Sequence, residues 1–489
     1  MPTIRAIIML SGGGAAGFLL GEPLQAMTIG LCVSFLWFNK KVILDNYSFN
    51  ILILFAFINI ISIYFSDHPY TAVDGAAHYI LLFALFFGLQ PLFKELPQLQ
   101  EGVLWSLLIT GSVYLIIFTP FYMIKHMDSA YNWGTGMLGF RNIRHFGMYM
   151  AILAIVSCLP LLKDNLSKVS KIISLLFIAL FVGFLFISGG RGGTIALLIT
   201  LPLVIVLSPK KRFENIAILC FSILLALWFS NTFAINAEFG RNWQRALGLT
   251  INLDDTINQL SSGRFLLWSS ALDYIKTSPI IGHGAGVIPT FGPFIETDHP
   301  HNSVLQILLD WGLLGFTFFA IILGNGIAHI RKLNHHIIMT PAMAISVILL
   351  VYLCLHSLIS GALFMRINLI VAAIALAIFT ANLPKPTTAR KSPIPRIICG
   401  LAVLWVCFVT VIGVWVSVAP NKSLARLLLY VPLLEGKVGS MEWRLAILNE
   451  TQQTITPKEY IWLGKHCSEK SCPKILSRHQ ASTPANTKN

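Results

Sequence analysis

Long apolar runs separated by short polar segments dominate the chain, at about 6–20, 23–38, 50–65, 76–93, 103–124, 147–162, 172–188, 194–208, 216–235, 303–324, 338–358, 367–383 and 398–418. Several run 16 to 23 residues with almost no charge, close to the roughly 20 that cross a hydrocarbon core as a helix. Alternating strands of the barrel type are absent, so the expected fold class is all-α, a polytopic transmembrane helix bundle of about 12–13 spans. The pattern divides the chain into an N-terminal bundle of about nine spans (1–235), a large loop before the tenth span (236–302), the C-terminal spans (303–419) and a polar, basic tail (420–489). The first span is short and glycine-rich. Lacking an A-x-A-like cleavage site before the next span, it reads as a retained helix rather than a signal peptide. Within the loop, SGRFLLWSSALDYIK (262–276) repeats Phe265, Trp268, Leu272 and Ile275 at helical spacing, which predicts a helix along the membrane interface or against the bundle.

Composition agrees with the pattern: 55% of residues are hydrophobic and 11% charged, against roughly 25% charged in a soluble domain. The net charge of +14 does not call for nucleic acid, because the basic residues cluster between spans as the positive-inside rule expects. With the N-terminus cytoplasmic, the inner loops hold sixteen basic residues, eleven of them Lys. The outer segments before the tail hold nine (Lys125, Arg141, Arg144, Arg191, Arg241, Arg245, Arg264, Lys276 and Arg366), seven of them Arg. Lysine suffices for topology, whereas arginine offers a planar fork suited to phosphate oxygens. An odd span count puts the tail outside, against its basic character. Six cysteines, including Cys32, Cys158, Cys220 and Cys354, lie in apolar spans as packing residues. Cys467 and Cys472 lie close together in the tail and can pair in an oxidising compartment.

The densest polar stretch is ETDHPHNSVLQILLDWGLLG, residues 296–315. Asn302 or Ser303 is placed to cap the tenth span, leaving His301 at the mouth of the bundle. Gly312 and Gly315 would let a neighbouring helix approach, and Asp310 marks a polar cavity or a partner within the span. A metal site from His283, Asp298, His299 and His301 is a weaker alternative, since His-Pro-His has no established ligand spacing. GHGAG joins no strand to a helix and is not a nucleotide cradle. Arg191 sits in the turn SGGRGG, whose glycines would expose N–H groups to an anion. Arg264 opens the loop helix, where the N-terminal dipole also favours phosphate. Arg141 and Arg144 lie in GFRNIRHFG before one span, and Arg366 starts another.

The spacing H-N-x9-G-x-x-G at His301, Asn302, Gly312 and Gly315, preceded by P-x-x-G-x-G at Pro279, Gly282 and Gly284, resembles the signature of lipopolysaccharide O-antigen ligases. The specific motifs cover about 262–315 and the SGGRGG turn; the resemblance in architecture covers nearly the whole chain. Related families include protein O-oligosaccharyltransferases and, more loosely, O-antigen polymerases. The resemblance implies a multi-pass enzyme of the bacterial inner membrane with a periplasmic active site in the large loop. It implies transfer of a glycan from undecaprenyl pyrophosphate to an acceptor hydroxyl, that of lipid A–core in the ligases and of a protein or a growing glycan in the alternatives. On this reading His301 is the base, and Arg191 and Arg264 bind the pyrophosphate. Arg141, Arg144, Arg366 and Asn302 are further candidates for contacting substrate. No cofactor, metal or nucleic acid is expected. A transporter or flippase would call for membrane-embedded charge pairs and inverted repeats, and the sequence shows neither.

Overall fold

The structure, a computed structural model, describes residues 30–37, 44–66, 69–126, 140, 143–164, 167–233, 264–287, 299–332, 339–361, 363, 365–383 and 389–390. The spans expected at 6–20 and 398–418, most of that at 23–38, the tail from 420, Arg141 and the loop portions 236–263 and 288–298 lie outside the described residues. The other ten expected spans are helical. They are α1 (Asn46–Tyr64), α2 (Pro69–Glu95), α3 (Gln98–His126), α4 (Ile143–Val156), α5 (Lys168–Ile187), the pair α6 (Arg191–Thr200) and α7 (Pro202–Val206), and α8 (Arg212–Thr232). After the loop helix α9 (Arg264–Ile275) come α10 (Ser303–Lys332), α11 (Pro341–Ser360) and α12 (Arg366–Ala381). Among the described residues, seven helices are long and apolar enough to cross a membrane. The run expected at 194–208 is split because Pro202 supplies no N–H to continue α6.

Helix α4 is the axis of the bundle, with every residue from Phe146 to Val156 buried. An all-round apolar helix of this kind belongs in a core. Its neighbours bury one side and turn the other outward: Phe57, Ile60, Ile116, Ile172, Leu224 and Trp228 are exposed, a coat that water would not tolerate and lipid would. Cys32 and Cys158 are buried as expected, but Cys220 and Cys354 face outward. A two-residue antiparallel contact between Leu44–Asp45 and Ala389–Arg390 is a minor exception to the helical design.

Successive helices alternate in direction, which sorts charge by end. At one end Lys163 meets Glu101 at 2.5 Å, Lys171 pairs with Glu214, and Lys211 donates to the Lys163 carbonyl. The opposite end gathers the starts of α4, α6, α9, α10 and α12.

Candidate functional site

Each of those starts except that of α10 carries an arginine in its first two positions: Arg144, Arg191, Arg264 and Arg366. A cation at a helix N-terminus opposes the macrodipole, at about 0.3–1 kcal/mol each, and none of these first turns contains an acid. Helix termini and guanidinium groups therefore superimpose positive potential on one face.

The cluster is tight. Arg264 is half-buried, and burial, then Arg144 and Arg191, push its guanidinium below its ordinary value, although it remains a cation. His301 is half-buried beside them. Burial first, then His299, Arg264 and Arg144, lower the His301 imidazole to about 3, with a hydrogen bond to the Ser360 backbone opposing the fall. The ring is therefore neutral at physiological pH and able to accept a proton.

His301 is held in a costly conformation. Its φ of 53° makes it the one non-glycine left-handed residue among those described, a strain of about 1–3 kcal/mol that persists only where surroundings enforce it. Contacts from Trp268, Asn302 and His299 hold the segment around it. Trp268 Nε1 of α9 donates to the Pro300 carbonyl at 2.9 Å. Asn302 Oδ1 accepts from Val304 N and Leu305 N at 2.9 and 3.1 Å, capping α10, while its Nδ2 donates to the Leu358 carbonyl of α11 at 3.0 Å. The His299 and His301 rings meet edge to face at 4.3 Å, over Gly361, where a Cβ would fall 2.5 Å from His299 Cδ2. Asn302 is thus the cap the sequence suggested, with its side chain committed to joining α10 and α11.

The expected roles of the glycines need correction. Gly312 does not admit a neighbouring helix; it breaks its own, with φ 59° and ψ −154° inside α10. The freed backbone is taken up by the P-x-x-G-x-G loop. His283 N and Gly284 N donate to the Leu309 and Asp310 carbonyls at 2.8 and 2.9 Å. Leu313 N and Leu314 N donate to the Pro279 and Ile280 carbonyls at 2.9 and 3.0 Å. The approach needs bare backbone on both sides, because a Cβ on Gly312 would lie 2.5 Å from the Ile280 carbonyl and one on Gly282 2.5 Å from Trp311 N. Buried Asp310 finishes the latch by accepting from Gln306 Nε2 at 2.8 Å and Gly286 N at 3.2 Å. Two glycines of SGGRGG also serve packing. Gly192 and Gly193 seat α6 against Ile359 and His356 of α11, and Gly147 of α4 receives Ser188 of the turn.

The loop helix packs on the bundle, one of its two expected placements, through a face that includes Ile275 of the four residues at helical spacing. Leu267, Ala271 and Ile275 bury against Leu309, while Phe265 and Leu272 stay exposed. His283 stacks on Tyr274 at 3.9 Å, and its Nε2 lies 3.1 Å from the Tyr274 carbonyl. It is thereby tied to the end of α9, and Asp298 lies outside the described residues. Among the described residues, no three His, Cys, Asp or Glu side chains converge. Of the predicted site residues, then, Arg144, Arg191, Arg264 and His301 come together, Asn302 holds their frame, and Arg366 begins α12 at the same end. His356 and Tyr352, which the sequence did not single out, lie beside them. Their only signal is a Tyr-x-x-x-His pair on one face of an apolar helix.

With this geometry in view, residues 175–320 match the model of a family described as O-antigen ligase. Over that segment the chain is similar to the O-antigen ligase family. The matched segment runs from α5 through the first two-thirds of α10, and so contains Arg191, Arg264, His301 and the Gly312 break. A protein of Haemophilus influenzae (strain ATCC 51907 / DSM 11121 / KW20 / Rd), described only as uncharacterized, is 23% identical over 352 residues, covering 66% of this chain and 83% of its own length. This similarity, together with seven helices long and apolar enough to cross a membrane among the described residues, points to a multi-pass membrane protein and to glycan transfer of the ligase/polymerase class.

Proposed function

We propose that the protein transfers a glycan from undecaprenyl pyrophosphate to a hydroxyl of lipid A–core on the periplasmic face of the bacterial inner membrane. The observation that carries this reading is the meeting of Arg144, Arg191 and Arg264 around a neutral His301. His301 accepts the proton of the acceptor hydroxyl as its oxygen bonds to the sugar's anomeric carbon. The bond from that carbon to the pyrophosphate breaks, its electron pair leaves on the phosphate oxygen, and the arginines stabilise the charge. Donor binding also prepares the base. A pyrophosphate among the arginines offsets two of the causes that hold the imidazole low, Arg264 and Arg144, and raises its proton affinity when substrate is present. Arginines occupy the role that a divalent ion plays in other phosphate chemistry, so chelation with EDTA should leave the rate unchanged.

The test is transfer from purified lipid-linked donor to lipid A–core by the purified protein and by His301→Ala. Loss of transfer with donor binding retained is expected, whereas full activity in the variant overturns the mechanism. The acceptor is read in a deletion strain. Loss of long-chain lipopolysaccharide with the lipid-linked polymer intact supports the ligase. Loss of protein glycosylation, or a shortened lipid-linked glycan, overturns that acceptor in favour of a protein or a growing chain.

A further inference from the structure

Helix α11 carries a second histidine to which the mechanism above gives no task. His356 is 2% exposed, and an ionisable ring inside a span marks a site by default. Its Nδ1 lies 2.9 Å from the hydroxyl of Tyr352, one turn earlier. Tyr352 is fully buried, and His356 Nδ1 is the hydroxyl's hydrogen-bond partner among the described residues. Were the phenol only an acceptor, its proton would be stranded in the core, so the hydroxyl donates and Nδ1 accepts. A neutral imidazole with Nδ1 accepting carries its hydrogen on Nε2. That nitrogen has no partner among the described residues. The ring stands against the opening turn of α6. A Cβ placed on Gly193 would lie 3.2 Å from His356 Cε1 and 3.5 Å from Nε2, and one on Gly192 would lie 3.5 Å from Cδ2. These are the two residues that follow Arg191. Thr194, next in line, is 2% exposed with its Oγ1 unpartnered. Arg264 is close enough to His356 to act on it electrostatically.

We propose that His356 presents Nε2–H, as a neutral donor, to the anionic group that Arg144, Arg191 and Arg264 surround, and that Tyr352 is the positioning residue that fixes its tautomer. The inference rests on the pyrophosphate reading above and adds a specific contact to it. Three cations attract an anion from any direction, whereas a single oriented N–H selects where one oxygen sits.

Inorganic pyrophosphate is titrated calorimetrically into the full-length protein in detergent, with His356→Met, His356→Gln, Tyr352→Phe and Arg264→Ala alongside. His356→Met keeps the volume and removes the donor, and should weaken binding about tenfold or more, the effect of one hydrogen bond to a charged group. His356→Gln returns an N–H near the position of Nε2 and should recover most of that affinity. Tyr352→Phe should lose less than His356→Met. In the unaltered protein, ¹⁵N spectra should show the His356 ring protonated at Nε2, with that resonance shifting as pyrophosphate is added. Unchanged affinity in a folded His356→Met variant, or a ring protonated at Nδ1, overturns the proposal. Loss of binding in Arg264→Ala with normal binding in His356→Met removes only the histidine's role. Normal binding in both removes the pyrophosphate reading itself.

Discussion

The two ends of the bundle hold basic residues in opposite ways. At the lysine end, Glu101 and Glu214 stand in the first turns of α3 and α8, where an acid suits the helix dipole, and each is paired with a lysine. At the arginine end, four helices carry arginine in their first two positions and no acid in the first turn, and Arg264 is acted on by like charges from Arg144 and Arg191. One end pairs two of its lysines with acids, while the other sets arginines beside one another against local stability. Such an accumulation has a purpose only if something anionic arrives to discharge it, which is why the second end is read as the site and the first as topology.

The largest expected effect separates the ends directly. Arg264→Ala and Arg191→Ala should each lower glycan transfer about a hundredfold to a thousandfold, the scale of removing one preorganised charge-stabilising donor. Arg264→Lys should also lower it, because the fork is lost while the charge stays. Lys163→Ala, assayed alongside, should leave transfer unchanged, and an equal loss at both ends would erase the comparison. Next in size is Gly312→Ala, which imposes a left-handed alanine costing about 1–3 kcal/mol and a Cβ 2.5 Å from the Ile280 carbonyl. A fall in thermal midpoint and in folded yield by size exclusion should follow. Acid should then weaken the arginine end. The folded state holds His301 at about 3 against an ordinary 6.5, so between these values the unfolded chain takes up a proton that the folded protein refuses. Stability declines as pH falls through that window, and His301→Gln should flatten the decline when thermal midpoints are followed from pH 7 to 4. Asn302→Ala removes the cap of α10, about 1 kcal/mol, together with the tie to Leu358. Smallest of all, Glu101→Gln at the half-exposed lysine end should cost under about 1 kcal/mol.

Much of this was legible in the sequence, and the omissions share a cause. Apolar runs locate helices because burial in lipid is a one-dimensional property, and the described helices follow them from α1 to α12. The contrast of arginine with lysine, and the stretch ending at His301, pointed to the end where Arg144, Arg191, Arg264 and His301 gather. The break at Gly312 was hidden because hydrophobicity continues unaltered through it, and two glycines three apart read equally well as a smooth helix contact. What distinguishes the cases is the partner, P-x-x-G-x-G, whose glycines leave matching bare backbone on the loop. Which apolar residues of the loop helix are buried was not legible, because Phe265 and Leu272 are as apolar as the Leu267 and Ala271 that are buried; hydrophobicity in a membrane protein no longer separates inside from outside. His356 was missed because its partners, Tyr352 apart, lie on α6 and α9, remote in sequence.

The interrupted helix also constrains how the protein is made. A continuous span can leave the insertion machinery with its hydrogen bonds complete. The span from Ser303 cannot, because the Leu309 carbonyl and the Leu313 and Leu314 amides are satisfied by residues 279–283, and the Asp310 carbonyl by Gly284 and by Ser62 of α1, and each such group left open in hydrocarbon costs several kcal/mol. The segment synthesised earlier must fold back and dock before this span is at rest in the bilayer. Biogenesis therefore couples the two motifs in time as the latch couples them in space, and a chain that fails to dock its loop presents a faulty transmembrane segment that membrane quality control can recognise.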